Sequence, residues 1–387
     1  MSQPKRIDFL FFDAGGGHRS AALALKAVVE EQHRNWEVRL LNLQEVLDSL
    51  DVFRKLTGIR LQDIYNLVLK NGWTLGSAYW LRMMHLVIRI YHHSQVKLLI
   101  EVWREHRPDL VVSLIPNFNR AIFESLQKAL PGTELVTVLT DLADYPPHFW
   151  IEKQPQYLVC GTDRAVKQAK AMGHPQSRIF RVSGMILRPA FYNAPELNRA
   201  EERNKLGLAA DLPTGLILFG GQGASVMREI VEQMGNSALD LQLIAVCGRN
   251  AKLQARLQRL QTRNRIRIEG FTERIPELMR ISDFFIGKPG PGSISEAIHM
   301  GLPAIVESNA WTLPQERYNA QWLKENGLGI VLKNFRRVES VARELLAGGN
   351  LETMRARASQ CRNRAVFEIA GILENIVNKS SIAQQRQ

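Results

Sequence analysis

The sequence predicts an α/β protein made of two doubly wound domains. Two apolar strands, one starting at Ile7 and one at Leu216, each run into a glycine-rich turn and then into a helix. This order is typical of the unit that opens a doubly wound domain. A further unit of the same kind spans residues 284–307, FFIGKPGPGSISEAIHMGLPAIVE. The length of 387 residues also exceeds what one hydrophobic core usually supports, which favours two domains.

The overall composition favours a protein with an anionic partner. The formal net charge is +12, so nucleic acid, an anionic membrane and nucleotide-like substrates all fit. No zinc-finger spacing or aromatic RNA-binding motif is present, which argues against nucleic acid. Three scattered cysteines, Cys160, Cys247 and Cys361, suit a reducing cytoplasm and argue against a disulfide framework or a zinc site. We expect the N-terminal residues to form a strand rather than a signal peptide, and no apolar run is long enough for a transmembrane helix.

The first predicted strand, residues 7–12, ends in the loop Asp-Ala-Gly-Gly-Gly-His, which closes at His18. Three successive glycines remove side chains from around this imidazole and leave room for a ligand beside it. Because the unperturbed pKa of histidine lies near the working pH, His18 is the best candidate for a general base. The alternative is that His18 is only a polar residue at the start of the helix predicted over residues 19–31.

The stretch from residue 46 to residue 103 contains no convincing strand and many aromatic side chains. Trp73, Tyr79 and Trp80 occur there together with Arg82 and Arg89. Basic and aromatic residues beside aliphatic ones are typical of a helix that lies in a membrane interface or covers a lipid tail. The alternative is a buried helix of the first domain whose arginines reach the solvent.

A polar and aromatic loop, Asp-Leu-Ala-Asp-Tyr-Pro-Pro-His-Phe-Trp, follows the strand predicted over residues 135–140. The C-terminal ends of parallel strands form the ligand-binding edge of a doubly wound sheet. Asp141 and His148 are therefore candidate catalytic residues, and the alternative is that they are ordinary loop residues.

The second domain repeats the same pattern. The strand at residues 216–219 leads into Gly-Gly-Gln-Gly, and the strand at residues 284–286 leads into Gly-Lys-Pro-Gly-Pro-Gly. We predict that Ser293 is the N-cap of the next helix, because Glu296 stands three residues later as in a capping box. The free N–H groups at such a helix N-terminus form a site for phosphate. Ordinary turns between strands and helices also contain glycines, so the loop alone does not decide the matter.

These patterns set the predicted domain boundaries. Residues 1–187 form the N-terminal domain, residues 188–213 a linker, and residues 214–365 the C-terminal domain. Residues 366–387 form a helix that crosses back to the first domain and ends in a disordered tail.

Several motifs together resemble a known family. They are DAGGGHRSAA at residues 13–22, LTDLADYPPHFW at 139–150, VCGRN at 246–250, EGFT at 269–272 and GKPGPGSISEA at 287–297, followed by the pair Gln315 and Glu316. Their order and spacing resemble two-domain glycosyltransferases of the monogalactosyldiacylglycerol synthase type. This group includes diacylglycerol glucosyltransferases and is related to the peptidoglycan GlcNAc transferase. Relatives usually carry a shorter His-Pro-x-Trp where this chain has YPPHFW.

The resemblance implies two Rossmann-like domains facing a cleft, the GT-B type, with an N-terminal domain for the acceptor and membrane and a C-terminal domain for a UDP-hexose donor. Gly221 and the loop 290–292 would face the diphosphate, Glu296 the ribose, and the backbone near Phe271 the base. Gln315 and Glu316 would contact the donor sugar. The complete set of predicted donor-binding residues is Gly16, Gly17, Gly221, Gln222, Arg249, Phe271, Gly290, Pro291, Gly292, Ser293, Glu296, Gln315 and Glu316.

The resemblance also gives His18 a role in acceptor activation, which makes His18 and Asp141 the predicted catalytic pair. The residues expected to meet the acceptor or the membrane are Trp73, Tyr79, Trp80, Arg82, Arg89 and Trp150. We expect transfer to a lipid hydroxyl, most simply that of diacylglycerol, on an anionic membrane surface. The enzyme would be cytoplasmic and peripherally bound to the inner face of the cell membrane.

The chemistry expected from these residues is an inverting single displacement. No Asp-x-Asp pair occurs in the sequence, so we expect neither a metal ion nor another cofactor. Glucose, galactose and GlcNAc all stay open as the hexose. Three other hypotheses also stay open: a transferase with a polyprenyl-linked or soluble acceptor, an epimerase of the UDP-GlcNAc type, and a binding protein without catalytic activity.

Overall fold

A computed structural model describes residues 3–13, 16–47, 85–145, 148–193 and 196–385. Within this part of the chain there are two compact units. The first unit contains the described residues up to Pro189 and those from Asn363 onwards. The second unit contains the described residues of Ala190–Arg362.

The first unit is built on a parallel sheet in the order β2-β1-β3-β4-β5-β6. Leu10 of β1, for example, pairs with Leu41 of β2 and Ser113 of β3. The inner strands consist largely of buried residues, as expected for a sheet that is covered on both faces, whereas the two edge strands are less buried. The strands are β1 (Lys5–Phe11), β2 (Trp36–Asn42), β3 (Leu110–Ser113), β4 (Glu134–Val138), β5 (Tyr157–Cys160) and β6 (Ile179–Arg181).

The helices of the first unit pack through apolar faces at helical spacing. Ala22, Leu25 and Val29, at intervals of three and four residues, form the buried face of the first helix. The chain returns to this unit where the Asn363 side chain donates to the Met185 carbonyl (2.9 Å). Among the described residues, the helices of this unit include α1 (Gly17–Glu31), α2 (Leu43–Leu47), α3 (His92–His106), α4 (Asn119–Ala129), α5 (Asp163–Ala171) and the C-terminal helix Ala365–Gln385.

The second unit has a parallel sheet in the order β12-β11-β10-β7-β8-β9. Its strands are β7 (Thr214–Leu218), β8 (Gln242–Val246), β9 (Ile266–Glu269), β10 (Phe284–Gly287), β11 (Ala304–Glu307) and β12 (Gly329–Leu332). Its helices are α6 (Arg199–Lys205), α7 (Val226–Gly235), α8 (Ala251–Leu257), α9 (Ile275–Arg280), α10 (Pro291–His299), α11 (Arg317–Glu325), α12 (Val338–Leu346) and α13 (Asn350–Gln360). The C-terminal helix of the first unit, Ala365–Gln385, is α14.

Each sheet has a point at which the strand order changes direction. It lies between β1 and β3 in the first unit and between β7 and β10 in the second. Ligands of doubly wound sheets bind outside the carboxyl ends of the strands at this point. A ligand is therefore expected to bind at the loops after β1, β3 and β4 in the first unit, and at the loops after β7 and β10 in the second.

Two local features differ from the sequence-based predictions. Residues 196–213, which fall in the predicted linker, pack within the second unit, because Arg203 of α6 is buried and donates to Asp283 (2.7 Å). The N-cap of α10 is Gly290 rather than Ser293. The helix starts earlier because Pro291 occupies its first position, where a proline loses no hydrogen bond.

None of the described helices combines the length and the apolar character that a bilayer crossing requires.

Candidate functional site

His18 lies in the first turn of α1, directly after the turn that leaves β1. Gly16 makes this turn possible because it adopts φ +80, a left-handed conformation that suits glycine. The imidazole Nδ1 lies 2.8 Å from the Leu114 carbonyl oxygen and 3.1 Å from the Thr140 hydroxyl. Leu114 follows β3, and Thr140 follows β4. His18, which follows β1, is therefore fixed by groups from the carboxyl ends of the next two strands in the sheet, β3 and β4.

These contacts determine which nitrogen of His18 carries the proton. A carbonyl oxygen only accepts hydrogen bonds, so Nδ1 must be the donor to Leu114. In the neutral ring Nε2 then has a free lone pair and is able to accept a proton. This is the tautomer that a general base needs.

In the folded protein the pKa of His18 lies below the unperturbed value that made this residue the candidate base. Burial removes water from the imidazole and lowers its pKa to about 4, although the Leu114 carbonyl partly offsets this by favouring the protonated ring. At neutral pH the ring is consequently uncharged and has an unprotonated nitrogen, but the lowered pKa makes it a weaker base than free histidine.

Trp150 forms one wall of the His18 site. It is fully buried, and its ring centre lies 5.9 Å from that of His18. The indole N–H donates to the Asp141 carboxylate (2.8 Å), and Asp141 is itself buried. The structure therefore brings His18, Asp141 and Trp150 together, with Asp141 bonded to the indole. His148 is exposed and adopts φ +52.

In the second unit, the glycine loop after β7 lies against the turn after β8. The backbone N–H of Arg249 donates to the Gly221 carbonyl (2.8 Å). Gly248 has φ +60, and a Cβ atom there would collide with the same carbonyl, so this close approach requires glycine. Gly221 and Gln222 stay exposed as a result.

Lys288 extends between the two loops at the switch point of the second sheet. Its Cε lies 4.0 Å from where a Cβ of Gly220 would stand and 3.3 Å from the equivalent position at Gly290. Its ammonium group contacts the carboxylate of Glu316 (3.3 Å), which is buried. The Asn319 side chain donates to the Pro289 carbonyl (2.9 Å) and so fixes the backbone of the loop after β10.

The N-terminus of α10 supplies hydrogen-bond donors beside Lys288. First-turn N–H groups have no carbonyl partner inside a helix, and here they belong to Gly292 and Ser293, because Pro291 has no N–H. The positive end of the helix dipole points the same way. A lysine, two backbone donors and glycines without side chains form a suitable site for a diphosphate.

Arg249 and Phe271 follow the next two strands, β8 and β9. The guanidinium carbon of Arg249 lies 4.7 Å from the centre of the Phe271 ring, a cation–π contact. Phe271 is 56% exposed, so the face of this pair is available to a planar group. Binding of the base near the backbone of Phe271 stays a prediction.

The structure describes only some of the residues predicted to meet the acceptor. Trp73, Tyr79, Trp80 and Arg82 lie outside the described residues. Arg89 is exposed on a helical stretch at residues 85–90.

Sequence reasoning missed two polar groups of these sites. Thr140 lies in the motif at residues 139–150, and Lys288 lies inside the glycine loop after the strand at 284–286. Neither belongs to the predicted catalytic or donor-binding residues. The signal for Lys288 was a lysine within a phosphate-type loop. Thr140 had no such signal, since its contact with His18 joins residues 122 positions apart.

The chain is similar to known glycosyltransferases in both of its halves. A family model described as monogalactosyldiacylglycerol (MGDG) synthase matches residues 18–185. A model described as glycosyltransferase family 28 C-terminal domain matches residues 215–370. The chloroplastic monogalactosyldiacylglycerol synthase of Spinacia oleracea is 29% identical, covering 99% of this chain and 74% of the relative. Monogalactosyldiacylglycerol synthase 1 of Arabidopsis thaliana is 27% identical, covering 99% and 73%.

Solved structures share the fold at low sequence identity. MurG of Acinetobacter baumannii matches with a TM-score of 0.59 and 16% identity, covering 96% of this chain and 100% of its own. The UDP-bound MnaA of S. aureus matches with a TM-score of 0.61 and 17% identity, covering 97% of each chain. At such identities the likeness shows the fold alone. The chain therefore resembles monogalactosyldiacylglycerol synthases over nearly its whole length, and it is a hexosyltransferase with the GT-B fold.

Proposed function

We propose that this enzyme transfers a hexose from a UDP-hexose to the hydroxyl group of diacylglycerol, with inversion at the sugar and without a metal ion. The names of its relatives, monogalactosyldiacylglycerol synthases, support the lipid acceptor. The UDP bound to MnaA, a protein of the same fold, agrees with a uridine nucleotide donor. The observation that carries the chemical proposal is the 2.8 Å contact between His18 Nδ1 and the Leu114 carbonyl, because it leaves Nε2 as the proton acceptor.

In the proposed reaction His18 activates the acceptor. The acceptor oxygen bonds to C1 of the hexose while Nε2 of His18 takes the hydroxyl proton. The bond between C1 and the diphosphate oxygen breaks, and its electron pair leaves with UDP. The Leu114 carbonyl accepts from Nδ1 throughout and stabilises the imidazolium that forms. One displacement from the opposite face inverts the configuration at C1.

The departing UDP needs positive charge where its diphosphate develops negative charge. We propose that Lys288 and the N–H groups of Gly292 and Ser293 supply it. The Lys288 ammonium lies beside the carboxylate of Glu316, which we propose binds the donor sugar together with Gln315. With this cation present among the donor residues, the diphosphate does not depend on a bound metal.

The remaining donor contacts follow the order of the strands. We propose that Glu296 of α10 binds the ribose hydroxyls and that the uracil ring lies at the exposed Arg249–Phe271 pair. Gly221 and Gln222 would line the diphosphate from the loop after β7, and the donor contacts of Gly16 and Gly17 stay predictions. Asp141 would act by fixing Trp150 beside His18.

The helical stretch at residues 85–90 supports action at a membrane surface. Leu86, Val87 and Ile90 are 57%, 43% and 67% exposed, which is unusual for large apolar side chains placed together. Arg89 is exposed on the same stretch. Apolar side chains beside a cation suit the interface of an anionic bilayer. We propose that this stretch docks on the inner face of the cell membrane, where diacylglycerol is embedded.

Removing the exposed apolar groups is expected to weaken this docking. The double variant Leu86→Ser/Ile90→Ser loses two side chains that insert into the interface, so its partition onto phosphatidylglycerol-containing vesicles is expected to fall by about tenfold or more. Co-sedimentation measures the effect. Leu23→Ser, which removes an exposed leucine of α1, is the matched control.

The charge contribution is tested in parallel. Arg89→Glu is expected to weaken binding to anionic vesicles more than to neutral ones. Arg256→Glu, on an exposed position of α8, gives the same change in net charge and serves as its control. Unchanged sedimentation of both the apolar and the charge variant would remove this stretch as the docking surface.

The product tests the proposed reaction. The protein is incubated with UDP-hexoses and vesicles that contain diacylglycerol, and the lipid is analysed by mass and by the NMR coupling at the anomeric carbon. We expect one hexosyl-diacylglycerol with the β configuration, because the donor carries an α linkage. An α-linked product would contradict the single displacement, and a sugar found only on a water-soluble acceptor would contradict the lipid assignment.

A further inference from the structure

Asp144 is a buried carboxylate close to the His18 site that the proposed reaction leaves without a role. Its side chain is only 9% exposed. One carboxylate oxygen accepts from the backbone N–H of Trp150 (2.6 Å). The N–H groups of Tyr145, Phe149 and Ile151 also favour the ionised form of this carboxylate. A short side chain that gathers several N–H groups of its own loop fixes the path of that loop.

The backbone of Asp144 is anchored independently of its side chain. Gln168 of α5 accepts from the Asp144 N–H (3.0 Å) and donates to the Asp144 carbonyl (2.9 Å). The paired hydrogen bonds hold the start of the loop on a helix of the first unit. The carboxylate is therefore a fixed point from which the position of Trp150 is set.

Trp150 carries this constraint to His18. Its N–H is held by Asp144, its indole by Asp141, and its carbonyl accepts from the Asn119 side chain (3.4 Å). The buried indole lies 5.9 Å from the imidazole of His18. A displaced Trp150 would admit water to His18 and loosen the surroundings in which its ring is oriented.

We propose that Asp144 is a positioning residue for the transfer reaction: its ionised carboxylate holds Trp150 against His18, and loss of that charge lowers turnover. This inference rests on the proposed role of His18 as the general base. A protonated carboxyl group keeps one carbonyl acceptor but gains an O–H donor that faces the loop N–H groups. Neutral Asp144 is thus a poorer anchor than the anion.

The titration of the site supports this assignment. Burial raises the pKa of Asp144 to about 6, against the backbone N–H groups that favour its anion. Burial lowers the pKa of His18 to about 4. As the pH falls, Asp144 therefore loses its charge before His18 gains one. Activity is expected to decline near pH 6, two units above the pH at which His18 itself would be lost.

Other titratable groups face Asp144 and need a control. The Glu152 carboxylate interacts with it, and burial raises the pKa of Glu152 to about 7. Cys160 on β5 also faces it, but burial raises the pKa of this thiol to about 12, so it stays neutral. Arg120 and Arg181 act on Glu152 and Cys160 respectively. Glu152 accepts from the backbone N–H of Arg120 (2.9 Å) rather than from Trp150.

The test is the pH dependence of kcat/KM for UDP release by the full-length protein with a UDP-hexose and diacylglycerol vesicles. Asp144→Asn imitates the protonated carboxyl group in shape and hydrogen bonding. It is expected to lower kcat/KM about tenfold to hundredfold at about pH 8, since a small displacement at a catalytic group has effects of this size. Its profile should lack the decline near pH 6 and meet the wild-type profile at low pH. Glu152→Gln is expected to keep the decline.

Convergence of the two profiles distinguishes positioning from simple damage. A variant that lowers activity by the same factor at every pH, with the decline near pH 6 retained, would overturn the inference. An Asp144→Asn enzyme with normal activity at high pH, or a wild-type enzyme without the decline, would also overturn it. UDP affinity, measured separately, is expected to stay unchanged. Near-normal turnover of His18→Ala would instead refute the proposed function on which the inference depends.

Discussion

Replacing His18 with alanine is expected to lower kcat by about 10²- to 10⁴-fold, the usual contribution of a general base. The imidazole is held in the proton-accepting tautomer by Leu114 and Thr140, and alanine removes the acceptor for the hydroxyl proton. UDP binding is expected to remain nearly intact, because the proposed diphosphate and base contacts lie mainly in the second unit. Steady-state turnover and calorimetric titration with UDP measure the two effects separately.

A histidine outside the site provides the control for this variant. His33→Ala removes an exposed imidazole of the same unit and is expected to leave kcat within about twofold, as surface substitutions usually do. His18→Ala with near-normal turnover would remove His18 as the base. Loss of UDP binding in His18→Ala would show that the histidine serves the donor rather than the acceptor.

Replacing Lys288 with methionine is expected to lower kcat by about 10²- to 10³-fold, the effect found when a donor that stabilises developing charge is removed. Lys288 is the cation that extends between the loops after β7 and β10. Methionine keeps most of its apolar stem but not its charge. Because the substitution also leaves Glu316 without this partner, the double variant Lys288→Met/Glu316→Gln is needed to separate the two effects.

Removal of metal ions tests the proposed role of Lys288 and the α10 N-terminus in the departure of UDP. Activity in EDTA is expected to equal activity without it, because Lys288 and the α10 N-terminus supply the positive charge. Lys252→Met, on an exposed position of α8, removes a lysine outside the site and is the control for Lys288→Met, so its kcat is expected to stay unchanged. Activity that disappears in EDTA and returns with magnesium or manganese would contradict the metal-independent reaction. A fully active Lys288→Met would remove the lysine from the diphosphate site.

The doubly wound architecture could be predicted from the sequence because its signals are local. Runs such as Leu-Ile-Leu-Phe before Gly220 and Phe-Phe-Ile before Gly287 are short, apolar and followed directly by glycines. The GT-B relationship came from several motifs in a fixed order. The order of strands in each sheet needs tertiary contacts, and these became available only with the structure.

The sequence predicts where candidate residues such as His18 stand relative to the strands, but it does not predict their pKa values or hydrogen-bond partners. The sequence places His18 after a strand, but the value of its pKa depends on burial and on a carbonyl 96 positions away. The N-cap of α10 was assigned to Ser293 because a capping-box spacing was present, while Pro291 fixes an earlier start. The role inferred for Asp144 likewise depends on how Trp150 folds back onto His18.

The most direct test of the whole account is UDP release from UDP-glucose, UDP-galactose and UDP-GlcNAc, each measured with and without diacylglycerol in anionic vesicles. Release is expected to require the lipid and to favour one donor. Release that is indifferent to diacylglycerol would assign another acceptor or another reaction to the enzyme. Binding of UDP without release from any donor would contradict a hexosyltransferase that acts on this lipid.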